Sequence, residues 1–338
     1  MKNIYKKQIL KTDEREISQY AVGALLYTPA SNKEISEVIC TKKYDYLTSI
    51  SLCLEDAIAD NSVAVAEEQA IKTLMKISNA AEKGEISSKD LPFIFIRIRN
   101  PKHLQELFPK ISDYGNVLTG FVLPKFDLSN ANDYKEIILK INEESEKKYY
   151  FMPTLESESI ISISTRRNVL VSLKEIVDSI SQYILNIRLG GNDFCNKFAL
   201  RRSDQETIYD IAVVRDTIID IFNIFGRDYV VSGVVWEYFD NNRDDNWRTG
   251  LEKELALDKL NGFIGKTAIH PSQLPIIFNS MKVSSENYED AKSILNWESD
   301  SLGVVKSYNG KRMNESKVHT NWANRIIRLA HIYGVNEA

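Results

Sequence analysis

With 338 residues, 43% of them hydrophobic and 27% charged, the chain has ordinary globular composition and enough length for one barrel-sized core. A formal net charge of -4 leaves no basic excess to neutralise phosphates, which speaks against a general nucleic-acid binder. No apolar run reaches the roughly 18 residues of a membrane span, so no membrane partner is expected.

The opening, Met1–Lys11, is polar and basic and lacks the apolar stretch of a signal peptide. Cys40, Cys53 and Cys195 are odd in number and far apart. They offer neither zinc-ligand spacing nor a disulfide framework, which fits a reducing, cytoplasmic setting.

In chain order, short apolar runs occur at Ala21–Tyr27, Ser49–Leu54, Phe93–Ile98, Gly120–Leu123, Tyr149–Leu155, Ile184–Leu189, Tyr229–Val235 and Phe263–Ile269. Most are rich in β-branched or aromatic residues, as strands buried on both faces should be. Between them, Ser62–Lys83 and Asp204–Phe225 carry apolar residues at three- and four-residue intervals, the stripe of a helix with one buried face. Strand then helix, eight times over, predicts an α/β chain folded as a (β/α)8 barrel, with an open doubly wound sheet as the alternative.

The last stretch breaks the rhythm. A polar segment at Val283–Asn287 leads to a helix over Tyr288–Trp297, a turn at Ser307–Gly310, and an amphipathic helix from Lys317 to Tyr333. About 55 residues bury little core alone. The division expected is therefore a barrel over residues 1–282 and an appended helical segment over 283–338.

In a barrel the strand C-termini gather on one face, which carries the chemistry. The ends of the proposed strands bear Glu55 and Asp56, Arg97 and Arg99, Lys125, Glu156, Asp193, Glu237 and His270. Glu156 and Asp193 follow neighbouring strands. Two carboxylates about 4 Å apart repel by roughly 4 kcal/mol at an effective dielectric of 20, and a hard dication such as Mg2+ would remove that penalty. Each could instead cap a helix or pair with an arginine. Arg97 and Arg99 alternate with isoleucines, so both should share one strand face. Glu55 is the structural partner expected for Arg97, and a substrate carboxylate the functional one. Gly265-Lys266-Thr267 is not the end of a phosphate loop, because Leu260 stands where the first glycine belongs.

Several segments resemble the citrate lyase β-subunit/HpcH–HpaI aldolase superfamily. They are Leu54-Glu55-Asp56-Ala57-Ile58, Arg97-Ile98-Arg99-Asn100, Leu123-Pro124-Lys125, Pro153-Thr154-Leu155-Glu156-Ser157 and Gly190-Gly191-Asn192-Asp193-Phe194. The most specific runs from Gly262 through Gly265-Lys266 to Ile269-His270-Pro271-Ser272-Gln273, and Gly310-Lys311-Arg312-Met313-Asn314-Glu315 is similar to the family's lid turn.

The resemblance implies a carbon–carbon lyase cleaving or forming a bond beside a thioester, as in citryl- or malyl-CoA chemistry. It implies Mg2+ or Mn2+ on Glu156 and Asp193, and Arg97, Arg99, Lys125 and His270 binding a small oxo or hydroxy acid or an acyl-CoA. Catalytic roles would fall to Arg97, Glu55, Asp56 and Glu315. It also implies a homotrimer or related homo-oligomer, with the tail as a lid over a neighbour's site. A CoA-independent 2-oxo-acid aldolase and a catalytically quiet partner barrel are the alternatives.

The chain departs from the family pattern at four places. Cys53 stands where an aspartate is common. The first strand has Gly23 for an arginine, and Tyr27-Thr28-Pro29-Ala30 for Phe-Val-Pro-Gly. The loop Glu237–Gly250 is longer, and Glu315 replaces the lid aspartate.

Overall fold

The longest strands buried at every position are β2 (Ser49–Cys53), β3 (Phe93–Arg97) and β5 (Tyr150–Leu155). Continuous burial is what a parallel sheet covered by helices on one side and filled by its own side chains on the other demands. The computed structural model describes residues 15–240, 244–297 and 303–336. The polar opening Met1–Lys11 and the 241–243 part of the long loop lie outside the described residues.

With β1 (Ala24–Pro29), β4 (Leu118–Leu123), β6 (Arg188–Leu189) and β7 (Lys266–Ala268), the strands form one sheet in the order β6-β5-β4-β3-β2-β1-β7, parallel throughout. The gap between β6 and β7 is filled by the run expected as the seventh strand, Tyr229–Val235. It forms no continuous strand, pairing only through single bridges from Val231 to Ile187 and from Gly233 to Lys266. Four backbone hydrogen bonds support them: Ile187 N to Val230 O (2.9 Å), Ser232 N to Ile187 O (3.0 Å), Ile264 N to Val231 O (3.0 Å) and Gly233 N to Gly265 O (3.0 Å). The wall is thereby continuous around eight positions, and the barrel expectation holds with one position reduced to bridges. Gly233 shows why: a Cβ there would lie 2.5 Å from Asp258 Oδ2, so a carboxylate from the outer helix fills the space of a side chain.

The outer layer follows from the apolar spacing. The helix Val63–Glu82 buries Ala66, Ala70, Thr73, Leu74 and Ile77, one face at helical period. The helix expected from Asp204 begins only at Ala212, because Thr207 and Asp210 close a capping box that starts a separate short 3-10 turn, Ile208–Asp210, ahead of it. Among the described residues no helix is long and apolar enough to cross a membrane.

After the barrel, β8 (Val283–Ser284) pairs with β11 (Val335–Asn336), and between them lie the helices Ser285–Leu295 and Ser316–Tyr333 and the hairpin β9–β10 (Val304–Lys306, Met313–Glu315). The last helix lies against the end of the barrel where strands begin. Tyr333 OH donates to Tyr20 O (2.5 Å), Arg325 donates to Gly262 O (2.8 Å), and Arg328 pairs with Glu16 (2.9 Å).

Asp290, fully buried, organises the hairpin. Its carboxylate accepts from Tyr308 N (2.7 Å), Asn314 Nδ2 (3.0 Å) and Arg312 Nε (2.8 Å). Burial pushes its pKa up, but the Tyr308 N–H and the Arg312 and Asn314 side chains outweigh it and hold the group below the usual aspartate value. A depressed pKa contributes stability that is complete above the unfolded value and lost as pH falls through the folded one. Asp290→Asn is therefore expected to cost about 1–3 kcal/mol at pH 7, and urea denaturation at a series of pH values should show that difference shrinking in acid. A constant difference would mean the charge does not matter.

Candidate active site

β3 ends on Arg97, whose register partner across β2 is Cys53, and the chain leaving β2 turns through Leu54 to Glu55. One nitrogen of the Arg97 guanidinium, Nη2, meets Glu55 Oε2 at 2.8 Å, Asp56 Oδ2 at 3.1 Å and Glu156 Oε1 at 3.5 Å. Arg97 and Glu156 are buried to 6% and 4% exposure, so their charges are held by each other and not by water. The other face of the guanidinium lies over the Tyr27 ring, Cζ 5.5 Å from the centroid.

Lys125 joins this cluster twice. It adopts φ +48°, a left-handed conformation that costs a side-chain-bearing residue about 1–2 kcal/mol. That turn aims its N–H at Glu156 Oε1 (2.8 Å), while its Nζ returns to Glu55 and to Asp56 Oδ1 (3.4 Å). Glu156 in turn fills the space above Gly190, where a Cβ would stand 2.3 Å from Glu156 Oε2. Asp193 sits in the first turn of the helix Gly191–Lys197, within hydrogen-bonding reach of the Glu156 side chain.

The mouth thus holds four acids, Glu55, Asp56, Glu156 and Asp193, against two cations, Arg97 and Lys125, a surplus of two negative charges. Burial, opposed by Arg97 and reinforced by Asp193, pushes the Glu156 pKa up to about 7. Burial also raises Glu55 and Asp193. Asp56 differs: burial pushes it up, but Glu55, Arg97 and Lys125 outweigh that and keep it anionic. Among the described residues no three His, Cys, Asp or Glu side chains stand together as a metal cage. A hard dication held by two carboxylates, with water or ligand oxygens completing its shell, needs none.

The structure brings together Glu55, Asp56, Arg97, Lys125, Glu156 and Asp193, and it places three other expected residues elsewhere. Arg99 pairs with Asp60, donates to Leu54 O (3.2 Å), and gives its N–H to His103 Nδ1 (3.0 Å). The strand ends at Arg97, so the alternation that was to align the two arginines does not extend to Arg99. His270 bonds Ser272 Oγ through Nδ1 (2.8 Å) and stacks on Phe239. Glu315 keeps its polar contacts in the tail, donating its N–H to His319 Nδ1 (2.9 Å). Two residues that no motif singled out as functional, Tyr27 and Arg188, lie next to this cluster, Tyr27 with its ring under Arg97 and Arg188 fully buried beside Tyr27. A charged residue inside the apolar run Ile184–Leu189 was the available signal for the second.

A profile of the family described as carbon–carbon bond lyases of the TIM-barrel fold matches residues 16–335. The chain belongs to that family. A comparison with curated proteins finds no match. Among solved structures, a citrate lyase from Burkholderia xenovorans LB400 aligns with TM-score 0.67 and 15% identity, over 94% of this chain and 93% of that one. CitE from Mycobacterium tuberculosis, in complex with magnesium, acetoacetate and coenzyme A, aligns with TM-score 0.60 and 17% identity over 92% and 99%. RipC from Yersinia pestis aligns with TM-score 0.51 and 16% identity over 78% and 95%. At these identities the likeness is one of fold.

For this lyase the raised Glu156 pKa has a measurable sign. The group's contribution to stability is complete below the ordinary glutamate pKa and is lost as pH rises through about 7. With divalent cations chelated, Glu156→Gln is expected to be more stable than the parent at pH 8, by on the order of 1–3 kcal/mol, and equal to it near pH 4. Urea denaturation at both pH values checks this. A Gln variant that is weaker at pH 8 would mean Arg97 fully compensates the charge.

Proposed function

We propose that this lyase uses a divalent cation, Mg2+ or Mn2+, to cleave or form the carbon–carbon bond of a small 3-hydroxyacyl thioester of the citryl- or malyl-CoA kind. The observation that supports this most is the meeting of Glu156 and Asp193 beside a buried Arg97, with two negative charges in excess. Both acids offer hard oxygen ligands, and their raised pKa values reflect burial that a dication would offset. CitE from Mycobacterium tuberculosis was solved with magnesium, acetoacetate and coenzyme A, and a citrate lyase β subunit from the same organism with oxaloacetate and magnesium. Both are folds similar to this one that were solved with a small acid and magnesium.

Held by Glu156 and Asp193, the cation would polarise substrate oxygens as a Lewis acid. The protein's own groups do the rest. Arg97, fixed in orientation by Glu55 and Asp56 and by the Tyr27 ring, offers a guanidinium to a substrate carboxylate or to the oxygen on which negative charge grows. Asp56, anionic and half-exposed, is placed to take the substrate hydroxyl proton, and Lys125 ties its carboxylate to Glu55.

Titration calorimetry with Mg2+ tests the metal assignment together with the arginine. Asp193→Asn and Glu156→Gln are expected to abolish binding in a protein that remains folded. Arg97→Lys should keep Mg2+ but lose turnover by 100-fold or more, about 2.7 kcal/mol, because a point charge cannot replace the planar fork. Unchanged Mg2+ affinity in both carboxylate variants would remove the metal site.

In this reading Glu315, whose contacts stay within the tail, serves the site of a neighbouring copy in a homo-oligomer. Mixing inactive Glu156→Gln and Glu315→Ala proteins and letting subunits exchange should restore part of the activity. No recovery after demonstrated exchange would put Glu315 outside the reaction.

A further inference from the structure

The barrel holds a second guanidinium, Arg188, that no acid among the described residues pairs with. Arg188 is 1% exposed. Its Nη1 donates to Ser232 Oγ (2.9 Å) and its Nη2 to Thr267 Oγ1, with the Tyr27 phenol beside it. Its Nε has no partner, and the one ionisable group acting on it is the Tyr27 phenol. Buried cations are costly unless an anion meets them, so this one favours whatever negative charge can form next to it. Ser232 and Thr267 are neutral, which leaves the Tyr27 oxygen.

Tyr27 is placed to use that. It lies inside the barrel on β1 and keeps part of its surface accessible, with Arg97 Cζ 5.5 Å from its ring centroid. The groups facing it are Arg97 from β3, Arg188 from β6, Glu156 after β5 and Cys53 from β2. Burial raises its pKa against the pull of both guanidiniums, so the phenol carries its proton at neutral pH, as a donor must. Proposed aldol-type cleavage needs such a donor, because the enolate left when the carbon–carbon bond breaks must gain a proton at carbon.

We propose that Tyr27 is a catalytic proton donor of this site, and that Arg188 is the positioning residue that holds its hydroxyl and stabilises the phenolate left behind. The proposal rests on the lyase reading above. As the bond breaks, its electron pair becomes the enolate. The Tyr27 O–H bond then breaks and a C–H bond forms at the enolate carbon. The proton released from the substrate hydroxyl restores the phenol, so the cycle neither gains nor loses protons. By microscopic reversibility, the phenolate removes a proton from the methyl group of a bound acetyl thioester.

That reverse step gives a test with defined probes. The full-length protein, with Mg2+ and acetyl-CoA in D2O, is followed by NMR for loss of the acetyl methyl proton signal, and by thermal shift for binding. The parent protein is expected to exchange the methyl protons, faster as pH rises. Tyr27→Phe keeps the ring under Arg97 and should keep the Mg2+ and acetyl-CoA thermal shifts while exchange falls by about 100-fold or more, the ordinary scale of general acid–base catalysis. Arg188→Lys should retain binding and move the rising limb of exchange to higher pH, a response that a purely structural role would not give.

Exchange in Tyr27→Phe at the parent rate, or an unmoved limb in Arg188→Lys, would overturn the donor assignment. So would thermal shifts with Mg2+ and acetyl-CoA but no exchange in the parent, and in that case thioester and metal binding would still stand. No thermal shift with either probe would overturn the lyase reading itself.

Discussion

Arg97 carries a permanent charge into a place with almost no water, and the mouth of the barrel is arranged around that fact. Three carboxylates converge on one of its nitrogens, and an aromatic ring lies under its plane. Neutralising one guanidinium needs one acid, not three. The excess creates a second requirement, partly answered by Lys125 and otherwise left to protons or a dication. One buried cation therefore sets the charge that the rest of the site must match, and Lys125 accepts a strained backbone to match it.

The outer wall solves a similar problem differently. Where the sheet is reduced to bridges, a buried polar network replaces the ladder. Lys266 Nζ pairs with Glu254 (2.9 Å) and Asp258 (2.7 Å), and Arg202 pairs with Glu254 (2.9 Å) and lies over Trp236. Tyr209 donates to Asp258 (2.8 Å), and Gln273 Nε2 donates to Trp236 O (3.0 Å) and Tyr238 O (2.7 Å). Two cations and two acids close on each other here, so this region is neutral and rigid where the mouth is charged and reactive. The Gly-Lys pair that looked like a fragment of a phosphate loop is the anchor of this network.

The sequence made the barrel legible because parallel strands buried on both faces leave continuous apolar runs, and six of the eight runs became strands close to the expected bounds. It could not show that Tyr229–Val235 would pack on the carboxylate of α-helical Asp258, which meets Gly233 from far along the chain. The mouth acids and Arg97 were readable because each follows a strand, and barrels gather strand ends. Arg99 misled because alternation applies only while the strand continues, and β3 stops two residues earlier. Arg188 was hidden by its own neighbours: in a run of isoleucines and leucines, one charge reads as noise until the hydroxyls around it are seen.

Gly190 has a consequence for how this site can change. The volume a side chain would occupy there already belongs to Glu156, which follows the neighbouring, paired strand β5. Neither position is free to vary alone: any larger residue at 190 evicts the carboxylate, and any rearrangement of 156 leaves a hole over the glycine. The two behave as a single two-residue unit under mutation. Drift from this chemistry toward another would have to pass through paired substitutions at these two positions.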